Sequence, residues 1–151
     1  HQAFIAPDAG DLKHCYECAE YLGIDKVFTA TEVRDLKTRE SVATTVDIPM
    51  DIKRDNPKGL SKVLITDDIC DGGRTFLELA KVLKEQHGVQ QVDLFVTHGI
   101  FMNGLYPLCN HLDNIYTTNT RTNPQKIADL QPKWDEDKRY NSPNFKVINV
   151  I

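Results

Sequence analysis

The 151-residue sequence has no apolar run approaching the roughly 20 positions a membrane-spanning helix needs, so neither a span nor a membrane partner is expected. It also lacks a basic N-terminal region followed by an apolar segment and a small-residue cleavage site, the pattern of a secretory signal. Cysteine is sparse. The four present, Cys15, Cys18, Cys70 and Cys109, are unevenly spaced in a chain long enough to bury its own core, which points to a reducing, cytoplasmic setting rather than a disulfide framework. Positive charge is short as well: 18 Lys and Arg stand against 22 acidic residues, for a net charge of −4. The basic residues are scattered, so the broad basic face of a nucleic-acid binder is missing and nucleic acid is not an expected partner. Internal repeats and low-complexity segments are absent. What is present, 40% hydrophobic residues over this length, suits a single α/β domain.

Short apolar runs alternate with helical periodicity along the chain. Residues 2–6 read as a buried strand ending at Pro7-Asp8-Ala9-Gly10, and Leu12, Cys15, Ala19 and Leu22 then recur at helical spacing up to Gly23. Residues 26–30 make a second strand. Glu32 to Glu40 is dense in charge and is expected to be an exposed, mobile loop or hairpin. Val42, Thr44 and Val46 suggest an antiparallel strand, followed by a polar connector from Pro49 to Gly59. Val63-Leu64-Ile65 has the continuous apolar character of a strand covered on both faces. A helix follows to about Gly88, then a strand at 92–97, a short helix around 103–109, a strand at 114–118 and a last strand from Phe145 to Ile151. This alternation predicts a mostly parallel sheet with helices on both faces. The abrupt ends, both within strands, suggest part of a longer polypeptide.

The chemistry concentrates in residues 62–76, KVLITDDICDGGRTF. Adjacent Asp67 and Asp68 sit at the carboxyl end of a strand, where open α/β sheets place their ligands. Like charges a few ångströms apart repel by about 4 kcal/mol at near-surface screening, so these carboxylates are unsuited to phosphate and suited to sugar hydroxyls or a divalent metal. Phosphate belongs on the loop, where the amides of Gly72, Gly73, Arg74 and Thr75 and the Thr75 hydroxyl converge at the positive end of a helix. The plainer alternative makes Asp71 a helix cap and the glycines a turn. Three aspartates in five residues tip the balance, because carboxylates stacked at a buried strand end destabilise a fold unless something uses them. A Walker A loop is excluded by the missing Gly-Lys-Ser/Thr, and an EF-hand by Ile69 at its third ligand position. Asp8 repeats the acid-and-glycine pattern at another strand-to-helix corner and is a metal candidate. Cys15 and Cys18 share C-x-x-C spacing inside a helix without a second pair, which argues against zinc. His98, at a strand end, is equally suited to a phosphate or to a carbonyl.

These residues carry a family resemblance. VLITDDICDGGRTF resembles the phosphoribosyl pyrophosphate (PRPP) motif of type I phosphoribosyltransferases, and IAPDAGDLKH with VTHGIF is similar to the C-terminal domain of ribose-phosphate pyrophosphokinases, the PRPP synthetases. The resemblance covers nearly the whole chain in order. It implies a Rossmann-like α/β fold and a parent enzyme that transfers the β,γ-diphosphoryl group of ATP to the C1 hydroxyl of ribose 5-phosphate, with Mg2+, for nucleotide or NAD biosynthesis. It also implies a cytoplasmic homo-oligomer built on dimers. Carried over residue by residue, Asp67, Asp68 and Asp71 hold ribose hydroxyls, Gly72 to Thr75 the 5-phosphate, and Asp8 lies near magnesium with Lys13 on the next helix. The family's catalytic loop falls at Thr31 to Arg39. There Glu32 stands where a lysine is expected, Arg34 is retained, and Lys37 or Arg39 is left to replace the lost cation, since a carboxylate cannot stabilise a transferring phosphate. Two further readings remain: a phosphoribosyltransferase that consumes PRPP, and a non-catalytic synthetase-like regulatory subunit.

Overall fold

In the computed structural model, which describes residues 1–38, 41–49, 52, 59–121 and 144–150, the apolar runs become strands of one seven-stranded sheet. In chain order the elements are β1 (Ala3–Ala6), α1 (Leu12–Leu22), β2 (Val27–Arg34), β3 (Ser41–Val46), β4 (Lys62–Cys70), α2 (Arg74–His87), β5 (Gln91–Gly99), a 3-10 turn (Tyr106–Asn110), β6 (Asn114–Thr118) and β7 (Asn144–Ile148). The sheet order is β3-β2-β1-β4-β5-β6-β7, parallel throughout except where β3 runs against β2. Most of the Pro49 to Gly59 connector lies outside the described residues, as does Arg39.

Alternation along the strands distributes α1 and α2. Ile5, Ile65 and Leu94 face one side and pack with Phe76, Leu79, Ala80 and Leu83 of α2 in a single buried cluster. The intervening Phe4 and Thr66 are buried too but belong to the other side, where the Cys15 thiol of α1 lies 2.7 Å from the Thr66 hydroxyl. A period of two in a strand buried on both faces therefore puts α1 and α2 on opposite sides of the sheet. Full burial of each such Ile, Leu or Phe contributes about 1.5–3 kcal/mol. Both helices stop where expected, at Gly23 (φ 67°) and Gly88 (φ 67°). Among the described residues no helix is long and apolar enough to cross a membrane.

The chain moves one way across the sheet from β1 to β2 and β3, and the opposite way from β4 to β7. The reversal lies between β1 and β4, and in a sheet of this kind the ligand crevice forms at the carboxyl edge of that junction. Strand lengths open the crevice further. β1 ends at Ala6 because Pro7 has no N–H to continue a ladder. The pairings Ala6↔Thr29 and Ile5↔Ile65 make Thr31–Arg34 of β2 and Asp67–Cys70 of β4 overhang it on either side. The charge-dense segment after residue 30 is thus a hairpin: β2 continues to Arg34, pairing Glu32 with Thr44, and turns at residues 36–38.

Candidate functional site

The gap left by short β1 is a cleft of about 340 Å³, floored by Pro7 and Asp8. Asp67 and Ile69 of β4, Glu32 and Arg34 of β2, and residues 71–76 line its walls. One end of the cleft is the start of α2. The N-cap is Gly73, in the left-handed region at φ 81°, and no side chain caps the helix, so Asp71 is not a cap. The first backbone N–H groups of a helix have no intrahelical acceptor, and here they open on the cleft with the dipole behind them. Gly73 is required twice over. A side chain there would be strained by the positive φ, and its Cβ would sit 3.0 Å from Leu108. Arg74 and Thr75 are exposed while Phe76 is buried, so the turn is anchored by Phe76 and presents its first two side chains to a ligand.

A second segment braces this loop. After β5 the backbone N–H groups of Ile100 and Phe101 donate to the Cys70 carbonyl at 2.9 and 3.1 Å, and Met102 donates to the Asp71 carbonyl at 2.8 Å. Asn103 Nδ2 donates to the Gly72 carbonyl at 3.2 Å. The segment after Thr97-His98-Gly99 therefore holds the glycine loop, whereas His98 itself pairs through Nδ1 with the Thr120 hydroxyl at 2.7 Å and does not line the cleft.

The opposite end is acidic. Carboxylate oxygens of Asp11, Asp67 and Asp68 lie within 4.8 Å of one another. Asp67 Oδ1 accepts the Asp68 backbone N–H at 2.6 Å. Burial, reinforced by the charges of Asp11 and Asp68, pushes the Asp67 carboxyl up to about 7 despite that bond. Burial and the charges of Asp8 and Asp68 likewise raise Asp11. A cluster of hard oxygens whose charged forms are held at a disadvantage is the donor set that a divalent cation such as magnesium relieves, so the residues fit that metal. Asp11 escaped the sequence reading, although it is the second acid of the same PDAGD corner.

The other predicted residues are distributed unevenly. Asp8 lines the cleft, its Oδ1 accepting backbone N–H groups of Gly10 at 2.6 Å and Asp11 at 3.3 Å, while remaining outside the three-carboxylate cluster. Asp67, Asp71, Gly72, Gly73, Arg74 and Thr75 come together in the cleft; Asp68 is exposed and reaches it only through the acidic cluster. Arg34 lines the cleft but is ion-paired to Glu32 at 2.7 Å. Lys37 sits in the exposed hairpin turn, away from the cleft lining, where Asp35 accepts its backbone N–H at 2.7 Å. Lys13 points outward on α1, 87% exposed, beside Glu17. The remaining cysteines are unsuited to zinc, since Cys70 and Cys109 are buried thiols pushed up to about 12 and about 11.

An acidic strand end and a glycine loop on a helix N-terminus thus sit beside the reversal of a mostly parallel sheet, on a phosphoribosyltransferase-like α/β fold. No protein-family model matches the chain. Comparison with curated proteins is more specific: the chain is similar to ribose-phosphate pyrophosphokinases. It is 32% identical over 108 residues to the ribose-phosphate pyrophosphokinase of Methanobrevibacter smithii, covering 66% of this chain and 34% of that one. With the enzyme of the same name from Mycoplasmopsis pulmonis it shares 26% identity over 138 residues, covering 85% of this chain and 40% of the relative. The chain thus spans two fifths or less of the length of these relatives. Among solved structures, the phosphoribosylpyrophosphate synthetase of Mycobacterium smegmatis superposes with a TM-score of 0.68 at 21% identity, over 98% of this chain and 40% of that one, a likeness of fold.

Proposed function

We propose that this domain binds ribose 5-phosphate and forms one half of a cytoplasmic PRPP synthetase, an oligomer that transfers diphosphate from ATP to the sugar's C1 hydroxyl. The observation that carries the reading is the uncapped first turn of α2 facing carboxylates across a cleft of about 340 Å³, room for one sugar phosphate. Gly72 to Thr75 take the 5-phosphate through backbone N–H groups and the Thr75 hydroxyl. Asp67 and Asp71, with Asp68 alongside, accept from ribose hydroxyls. Magnesium would be held by Asp11, Asp67 and Asp68 near Asp8, and supplies neutralising charge to the reacting phosphates when bound. Arg34, with Lys37 or Arg39 of the hairpin, is assigned to the transferred group. The short coverage of the relatives supports a parent with a further half, which would supply the rest of the ATP site.

The Glu32–Arg34 ion pair favours a second reading, a synthetase-like subunit that binds sugar phosphate without turning it over. Both readings share the site, and calorimetry tests it. Ribose 5-phosphate should bind one-to-one, with higher affinity when Mg2+ is present, while ribose without its phosphate should give no measurable heat. No binding of ribose 5-phosphate, with or without Mg2+, would sink the assignment.

A further inference from the structure

We infer that Glu32 sets ligand choice at this cleft: by holding Arg34 it disfavours ligands that carry a second anionic group on the β2 side, so ribose 5-phosphate is preferred over the same sugar bearing a 1-diphosphate. The inference rests on the sugar-phosphate reading of the site. Glu32 and Arg34 both line the cleft, on the wall across from the α2 N-terminus. Positions i and i+2 of a strand share a face, and here Arg34 Nε and Nη2 both donate to Glu32 Oε2, at 3.1 and 2.7 Å. The ladder register shifts between Val33 and Arg34, an irregularity of the kind that re-aims side chains at binding sites.

Exposure decides which partner a ligand meets. The Glu32 side chain is 25% exposed and that of Arg34 63%, so the carboxylate is the more enclosed member and the cation is drawn onto it. Among the described residues the cleft lining holds four acids (Asp8, Glu32, Asp67, Asp71) and two arginines (Arg34, Arg74), a formal charge of −2. One phosphate is provided for at the far end by Arg74 and the helix N-terminus. Among the described residues, a second anionic group on the near wall meets Arg34, and must displace Glu32 while enduring its repulsion. Exposed ion pairs contribute little to folding, so removing this one leaves the hairpin intact.

The test is calorimetric titration of the full 151-residue chain with ribose 5-phosphate and, separately, PRPP, each at the same fixed Mg2+ concentration. Wild type is compared with Glu32→Gln, Arg34→Gln and the double variant, with thermal melts to confirm that each is folded. In Glu32→Gln the affinity ratio should shift at least fivefold toward PRPP, and the shift should vanish when Arg34 is also replaced. An unchanged ratio, or a shift that persists without Arg34, would overturn the inference while leaving the sugar-phosphate site standing. Failure of ribose 5-phosphate to bind any of the four forms would instead remove that site, and this inference with it.

Discussion

Replacing Thr75 by aspartate should abolish binding of ribose 5-phosphate and leave the domain as stable as before or slightly more so. Thr75 lies in the first turn of α2, where no side chain caps the backbone N–H groups, and it is exposed on the cleft. A carboxylate at that position complements the helix dipole and is worth roughly 0.3–1 kcal/mol to the helix. The same carboxylate occupies the place of the ligand's own charge. Two unit charges about 4 Å apart at a protein surface repel by about 4 kcal/mol, and the N–H groups that would have met phosphate are already engaged. The affinity should fall at least ~100-fold, about 2.7 kcal/mol. Thermal melts beside the calorimetry separate the two effects. If Thr75→Asp binds ribose 5-phosphate within a few-fold of wild type, phosphate is not held on this loop.

Asp67→Asn should raise stability in a pH-dependent way and also weaken binding. Asp67 is pushed up to about 7 from an ordinary 3.8, first by burial and then by the charges of Asp11 and Asp68. Its folded pKa therefore exceeds its unfolded one, and the folded protein keeps a proton that the unfolded chain has released. The resulting stabilisation is full below pH 3.8 and is lost as pH rises toward 7, leaving a charged carboxylate in an unfavourable place. Asparagine stays neutral. Because the side chain is half-exposed and partly screened, the gain at pH 8 without ligand or metal should be only about 1 kcal/mol, seen as a Tm roughly 2–4 °C above wild type. At pH 4 the two proteins should melt together. Ribose 5-phosphate with Mg2+ should bind the variant at least ~10-fold more weakly, since a carboxylate acceptor and metal ligand has been lost. A variant that is no more stable at pH 8 than wild type would contradict the acidic-cluster account.

Much of the sheet is legible because a strand covered on both faces must be apolar at consecutive positions. Val63-Leu64-Ile65 announces such a strand, and the buried Ile65 and Thr66 divide between the two helices as that pattern demands. Gly23 and Gly88 likewise mark where helices stop, since each takes a left-handed conformation that other residues resist. The glycine loop is legible for the same reason at Gly73. The hairpin is less so. Glu32 to Arg34 carries no apolar stripe, because its strand character comes from backbone pairing to β3 rather than from burial.

What the sequence hides is whatever depends on distant segments meeting. Asp11 joins Asp67 and Asp68 only because α1 begins beside the end of β4, across 56 residues of chain. The brace formed by Ile100, Phe101 and Asn103 is invisible for the same reason, since nothing local says that a loop after β5 will reach the carbonyls of Cys70 and Gly72. Asp93 is the clearest case away from the cleft. Fully buried within β5, it is matched by His1 at 2.7 Å and Asn114 at 2.6 Å, partners that only the tertiary fold delivers. The ion pair of Glu32 with Arg34 is local by contrast, set by positions i and i+2 of one strand, and it turns an unexpected acid into the partner of a cation that lines the cleft.

The central claim is that backbone amides at the start of α2 hold the phosphate of a sugar phosphate. The most direct test is an amide-resolved NMR titration of the 15N-labelled chain with ribose 5-phosphate and, as control, ribose. The largest, saturable shifts with ribose 5-phosphate should fall on Gly72, Gly73, Arg74 and Thr75, and ribose should leave those amides in place. Shifts centred elsewhere, or equal responses to the two sugars, would contradict the claim.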